Sequence, residues 1–523
     1  MALTITDFVE EEDSLTIDDI PPEIQNRIND TLADLTGDPP ASGPTEGSPT
    51  GIGDWNDLDA VRDNPSATYT LLNDLDSSTA GYDSVVDPDA DGFDPIENFA
   101  GVFDGQDHEI ADLRLQVNES DEQRGLFEST TTNSEIRNLT LTAISTGGTE
   151  PNADFVGALV GTNDGTVSNV AVTGDVTAQD DVPVGGVVGK NNGTISNSEA
   201  NVTVESGKLS SVGGIVAINS GTIENSEVEG EILADQASPE DSLGGTSVGG
   251  FVGTNNGIIK NAHTESDVTS NIIESRIGGL VGTNNGEVTG SNAEGTVDGG
   301  QGANTGGLVG LNDGTSATIK ESFATGKVGN GDDNTNAGGL VGNNLDGGSI
   351  VESFAAGDVT GGSEAQAGGL VGANQYAEAD SNTVTSSIKQ SYATGDVNSK
   401  QGDFIPGKAG GLVGANYGNI EKSYATGSVS TESGDVEGGI VGNQSDGSLT
   451  DSYWDSQETG QTSGASFLFG GTGGTVNNIK GLTTSQMTGN DAQTYMSSFD
   501  LTDTWDTVSG DYPILQSIDE EVQ

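Results

Sequence analysis

A chain of 523 residues without a single cysteine holds no disulfide and performs no thiol chemistry. Its 82 acidic residues against 16 basic ones leave a net charge of −66, which excludes nucleic-acid binding at moderate salt and disfavours an anionic membrane surface. No stretch approaches the roughly 18 apolar residues of a membrane span, so membrane insertion is not expected either.

So many acids beside 32% hydrophobic residues fit a disordered chain, or a folded protein in concentrated salt. In molar salt the Debye length falls to about 3 Å and self-repulsion is screened. The acids are scattered among regular repeats, and aliphatic residues recur at fixed positions, so a folded halophilic protein is expected.

In chain order, the first element is a helix. Met1–Asp7 shows neither a basic nor an apolar leader region, and the acidic segment to about residue 20 reads as extended. Pro21 and Pro22 precede Glu23, and Ile24, Ile28, Leu32 and Leu35 then form one apolar helix face that Gly37 ends. A lone helix this short is marginal in water, so the stripe is expected to serve attachment or oligomerisation, or to pack on the first coil. A Pro/Gly-rich linker follows, closing a segment over 1–53.

Residues 54–154 read as degenerate, strand-like capping coils. They include Tyr69–Leu72, Gly101–Gly105, His108–Leu113, Gly125–Phe127 and Ile136–Leu141. Within them Asp87, Asp89 and Asp91, followed by Gly92, carry the 1-3-5 acid spacing that converges carboxylates on Ca²⁺. The bidentate Glu expected at position 12 is replaced by Asn98, with Glu97 one place early.

From 155 to 460 one phrase recurs: Gly-Gly-Leu-Val-Gly-x-Asn, then Gly-x-Ile-x-x-Ser, then Gly-x-Val, with good copies starting at Gly185, Gly278, Gly306, Gly368 and Gly410. Each copy holds three short apolar segments between Gly and Asn turns, as at Leu308-Val309, Ile319 and Val328, with no helical period. This predicts an all-β parallel β-helix, or β-solenoid, of roughly 14 coils and about 65–70 Å at 4.8 Å per coil. Insertions at Leu233–Thr246, Gln375–Ser386 and Asn398–Lys408 are expected to project from its side. Residues 461–523, with Trp505 and Tyr512-Pro513-Ile514-Leu515, read as a C-terminal cap over the last open edge.

Stacking places equivalent residues above one another. Asn163, Asn191, Asn219, Asn255, Asn284, Asn312, Asn344, Asn374 and Asn416 form an asparagine ladder that Gln444 interrupts. A serine column from Ser198 to Ser452 is structural too, since no histidine accompanies it. The next position changes along the chain: Ala171, Glu199, Glu227, His263 and Asn292 give way to Phe323, Phe354, Tyr392, Tyr424 and Tyr453. Strand alternation turns these five aromatics outward as a stripe for stacking on sugar rings. A turn at Thr325-Gly326 would instead reverse the parity and put the rings in the core. Asn-x-Ser/Thr triplets at Asn118, Asn138, Asn192, Asn201 and Asn443 permit glycosylation. No carboxylate pair stands out, and His108 and His263 are far apart, so no catalytic residue is assigned and no enzyme is expected.

The repeat phrase resembles the GLUG-motif repeat family of adhesin-like surface proteins. The resemblance extends to the lead-in Phe99–Gly105 and to the exits Ser452–Asp455 and Tyr512–Leu515. It implies a right-handed β-helix and surface adhesion, and no catalytic residues. A surface-type rod without an export signal at Met1 points first to a tail fibre or spike on the virion of a virus of halophilic archaea. Such a rod would bind a host surface glycan or glycoprotein and attach to other virion proteins, or to further copies of itself, through its N-terminus. The alternative is a cellular adhesin or envelope protein of a halophile; a third reading is a polysaccharide-degrading tailspike-like enzyme.

Overall fold

A computed structural model describes residues 49–86, 92–116, 123–147, 154–207, 210–234, 245–329, 335–375, 384–400, 406–432, 436–467 and 474–518. Residues Glu46–Gln523 form one compact unit. The helix stripe of Ile24, Ile28, Leu32 and Leu35, the Asp87, Asp89 and Asp91 cluster and the middle of each predicted insertion lie outside the described residues.

The unit is a parallel β-solenoid of about 12 turns. This is fewer than the expected 14, because the opening coils carry helical and irregular excursions instead of three short strands. One such excursion is the helix Trp55–Asp59, whose first amides donate to the Asp54 side chain. Among the described residues no helix is long and apolar enough to cross a membrane.

One coil shows the plan. The strand Asn304–Gly306 lies in a first wall, Val309–Asp313 in a second, and Thr318–Lys320, Phe323–Ala324 and Val328–Gly329 in a third. Among the described residues the first and second walls are each 11-stranded, and strands pair in register with the coils on either side: Val309 with Val281 and Val341, Ile319 with Val288 and Ile350. Those columns are fully buried, and each such aliphatic side chain contributes roughly 1.5–3 kcal/mol.

The glycines explain the repeat phrase. A Cβ on Gly310 would lie 2.4 Å from the Ile277 amide nitrogen one coil away, and one on Gly306 would lie 2.0 Å from the Val309 carbonyl oxygen. The first and second walls therefore touch through bare backbone, which only glycine permits. Beside this seam, Val328, Val359, Val397 and Val429 pack on Ala337, Ala367 and Ala409 as a second, smaller core.

The asparagine ladder is continuous. Each buried amide donates to the next coil's carbonyl oxygen, for instance Asn284 to Asn312 and Asn312 to Asn344, both at 2.8 Å. Gln444 does not break the row: its Oε1 accepts from Asn416 at 2.9 Å, and its Nε2 returns to the Asp446 carbonyl. The longer side chain ends the row with its hydrogen bonds made. The serine hydroxyls are also structural, since Ser353 Oγ accepts from the Ser322 amide and donates to the Val351 carbonyl.

Candidate functional site

The third wall turns between its first two strands through one residue per coil in the left-handed region: Asn169, Asn197, Asn225 and Asn261 early, then Glu321, Glu352, Gln390 and Lys422. After that corner, the serine points in and the following residue points out. Register makes the outward positions one column, from Ala171 through Glu199, Glu227, His263 and Asn292 to Phe323, Phe354, Tyr392, Tyr424 and Tyr453.

Alternation holds across the strand: Ala324 enters the main core while Phe323 faces away from it. The turn at Thr325-Gly326 does not reverse the parity. The expected open stripe is nevertheless corrected on two counts.

First, the rings stack on one another, with centroids 5.0, 4.9 and 4.9 Å apart from Phe323 to Tyr424 and interplanar angles of 6°, 6° and 2°. Rings stacked at the coil spacing hide their faces and turn edges outward, whereas sugar stacking needs faces. Second, the C-terminal segment covers them. Phe354, Tyr392, Tyr424 and Tyr453 are at most 2% exposed. They form a cluster with Leu482, Met487, Met496, Phe499, Trp505 and Leu515.

The covering segment starts as one more partial coil, Thr475–Asn477 and Lys480–Leu482, paired with Ser448–Thr450 and Tyr453–Asp455. Thr483 then opens the helix Thr484–Met487 with a capping box to Gln486. The helix Gly489–Tyr495 and the antiparallel pair Trp505–Asp506 with Ile514–Leu515 follow. The cap thus lies along the flank as well as at the end of the rod. At the end itself Trp454 packs over Gly439, Gly464 and Gly481.

The ring hydroxyls explain why tyrosine replaces phenylalanine where the segment is polar. Tyr424 donates to the Pro513 carbonyl at 2.7 Å, Tyr453 accepts from the Ser498 amide at 3.1 Å, and Tyr512 donates to Asp455 Oδ2 at 2.8 Å. Burial pushes the Tyr392 and Tyr424 hydroxyls above the usual phenol range, and Tyr512 rises through burial together with Asp455. Sequence reasoning noted the aromatic richness of the tail but assigned it to the end; the matching run of aromatics on the wall was the available signal.

The same column is open over the earlier coils. There a shallow groove is lined by Asn197, Glu199, Asn225, Glu227, Asn261 and His263. His263 Nδ1 lies 2.7 Å from Asn292 Nδ2, and its Nε2 lies 3.5 Å from Glu265 Oε1. Carboxylates, amides and one imidazole in file suit polar hydrogen bonding. Among the described residues no group of three or more His, Asp or Glu is placed to hold a metal.

The GLUG motif is matched at residues 274–298, 333–360 and 407–430, three coils of the rod. A segment of 149 residues is 35% identical to halomucin of Haloquadratum walsbyi, covering 26% of this chain and 2% of halomucin. Two solved structures match at 15% identity. One is a candidate immunoglobulin A1 protease from Bacteroides ovatus, with 92% of this chain and 96% of that chain covered and a TM-score of 0.28. The other is an IgA1 protease, with 66% and 21% covered and a TM-score of 0.29. These two descriptions correct the expectation that the rod is not an enzyme, and non-enzymatic character is not assigned to it. At such identity and TM-score they carry no argument for peptidase chemistry. The chain is thus a β-solenoid that carries the GLUG motif on three of its coils.

Proposed function

We propose that the rod is a surface adhesin-like protein of a halophile, working at the cell surface or outside the cell. The observation that carries this reading is the 35% identity to halomucin, a protein of a halophile, in a chain of GLUG coils with net charge −66. The acids keep such a rod soluble where salt screens their repulsion. The virion placement expected first rested on the residues at Met1, and neither the repeats nor halomucin lends it support; the cellular alternative takes theirs.

The partner is a surface glycan or glycoprotein. Its contact surface is the open part of the third wall around Glu199, Glu227, His263 and Asn292, where polar groups face solvent. The stacked rings from Phe323 to Tyr453 anchor the C-terminal segment instead. Attachment or self-association through Ile24, Ile28, Leu32 and Leu35, and calcium at Asp87, Asp89 and Asp91, belong to the same reading.

Labelled full-length rod added to intact halophile cells in molar salt tests it. Binding is expected to fall at least several-fold in Glu199→Gln/Glu227→Gln/His263→Ala, and on enzymatic removal of cell-surface glycans. Binding indifferent to both treatments would overturn the assignment of this face.

A further inference from the structure

Four Asn-x-Ser/Thr triplets start among the described residues, and their surroundings separate them sharply. Asn138 is held at both ends of its amide: Nδ2 donates to Asp104 at 3.1 Å and Oδ1 accepts from Asn169 at 3.1 Å. Asn443 is 5% exposed in the second-wall strand Val441–Gln444. Asn201 faces solvent but sits inside the strand Glu199–Ser206, whose backbone is laddered to Thr173 on one side and Glu229 on the other.

Asn192 differs from all three. It is exposed, and it occupies the bend between the strands Val188–Asn191 and Thr194–Ser196. Its side-chain nitrogen meets only the exposed Asp164 Oδ1, at 2.7 Å. The equivalent corners show that the triplet arises in this one coil among these neighbours. Asp164-Gly165-Thr166 and Ser220-Gly221-Thr222 keep the threonine without the asparagine; Asn256-Gly257-Ile258 and Asn285-Gly286-Glu287 keep the asparagine without the threonine.

We propose that Asn192 is an N-glycosylation site, the acceptor for a lipid-linked oligosaccharide. Asn192 Nδ2 forms a bond to the anomeric carbon of the donor sugar. The bond from that carbon to the lipid phosphate oxygen breaks, the lipid phosphate leaves with the electron pair, and the amide gives up one proton to the transferase. The amide of Asn192 bonds to the Asn163 carbonyl at 2.8 Å, but its exposed side chain stands on a bend between two strands, where a transferase can approach it. The continuous strand at Asn201 and the packing at Asn443 do not offer that approach. The glycan would stand on the corner between the second and third walls, clear of the first-wall seam. The inference rests on the surface reading, since the donor and transferase act on chains that leave the cytoplasm.

The test is the full chain produced in a halophilic archaeon with an N-glycosylation pathway, followed by fractionation and mass spectrometry of the tryptic peptide Asn191–Lys208. A glycan mass on that peptide is expected, abolished in Asn192→Gln and in Thr194→Ala, and retained in Thr194→Ser and Asn201→Gln. Surface-located rod with a bare peptide, or a glycan mass that survives Asn192→Gln, would overturn the site while leaving the surface reading intact. Rod retained inside the cell would overturn the surface reading, and the site with it.

Discussion

The coils before Asn292 and those after Phe323 share one glycine seam, one amide ladder and the same aliphatic columns, yet they use a single outward position in opposite ways. Early coils leave Glu199, Glu227, His263 and Asn292 to solvent; late coils place rings there and fold the C-terminal segment over them. The corner residues change at the same point. Asn197 and Asn225 suit the left-handed backbone they adopt, at φ 48° and 50°. Glu352, Gln390 and Lys422 hold the same φ of about 50° at a conformational cost. Two of the long replacements reach the tail: Gln390 donates to Thr504 Oγ1 at 2.8 Å, and Lys422 faces Asp500, helping to hold its carboxyl below the usual range behind the hydrogen bonds from Thr502. The late coils thus trade local backbone preference for a covered flank.

What the halves share should be the hardest to disturb. Gly189→Val and Gly372→Val would drive a side chain into backbone, with contacts of 2.7 Å and 2.6 Å already at Cβ. Each is expected to cost more than about 4 kcal/mol and to leave no cooperative melt by circular dichroism. A folded Gly372→Val rod beside an unfolded Gly189→Val rod would break the claim that the seam is common.

Trp505→Ala separates the halves. Trp505 is fully buried against Tyr392, Tyr424 and Phe499. Its loss should weaken tail docking by about 3–5 kcal/mol. Proteolysis within 483–518 should accelerate while the rod's melting temperature holds. A lowered rod melt with a protected tail would show that the tail is part of the core.

Alkaline pH should act in the same direction. The Tyr392, Tyr424 and Tyr512 hydroxyls titrate higher in the folded protein than in the unfolded chain. Below about pH 10 both states keep the proton and the docking energy is intact. Above it the unfolded chain loses protons that the folded one retains, so stability falls as pH rises. Phenolate absorbance should appear together with tail cleavage, before the earlier coils open. Ionisation without tail release would contradict this coupling.

The smallest effect expected is a gain. Glu352→Asn restores the early-coil residue at φ 48° and should stabilise the rod by about 0.5–1 kcal/mol. The reverse change, Asn197→Glu, should cost a similar amount in chemical denaturation. Equal and opposite shifts would establish backbone strain as the origin; no shift in either would remove it.

Most of the architecture was legible because stacking makes each coil repeat the same local rules. The constant offset at which Leu308-Val309, Ile319 and Val328 recur made the stacking legible, and the recurring asparagine made the ladder legible, since both depend on neighbours one coil away. The walls themselves were not, because Ile319 and Val328 share the third wall and the first is the short strand Asn304–Gly306. The candidate site was legible only in part. Strand alternation correctly turned Phe323 away from Ala324, but whether a ring on an outer face meets sugar, solvent or chain depends on a partner far off in sequence. Trp505 lies 113 and 81 residues beyond Tyr392 and Tyr424, at no repeat offset, so no periodicity could pair them.

The sequence by itself determined the solenoid and its polar and aliphatic columns, because those interactions recur with the chain's own period. That the glycines line a seam between two walls, and do not only make turns, came from the structure. Only the tertiary structure decided that the aromatic column is a docking track for the C-terminal segment and that the open face lies over the earlier coils. That choice turns on hydrophobic burial between distant segments, which has no period to read.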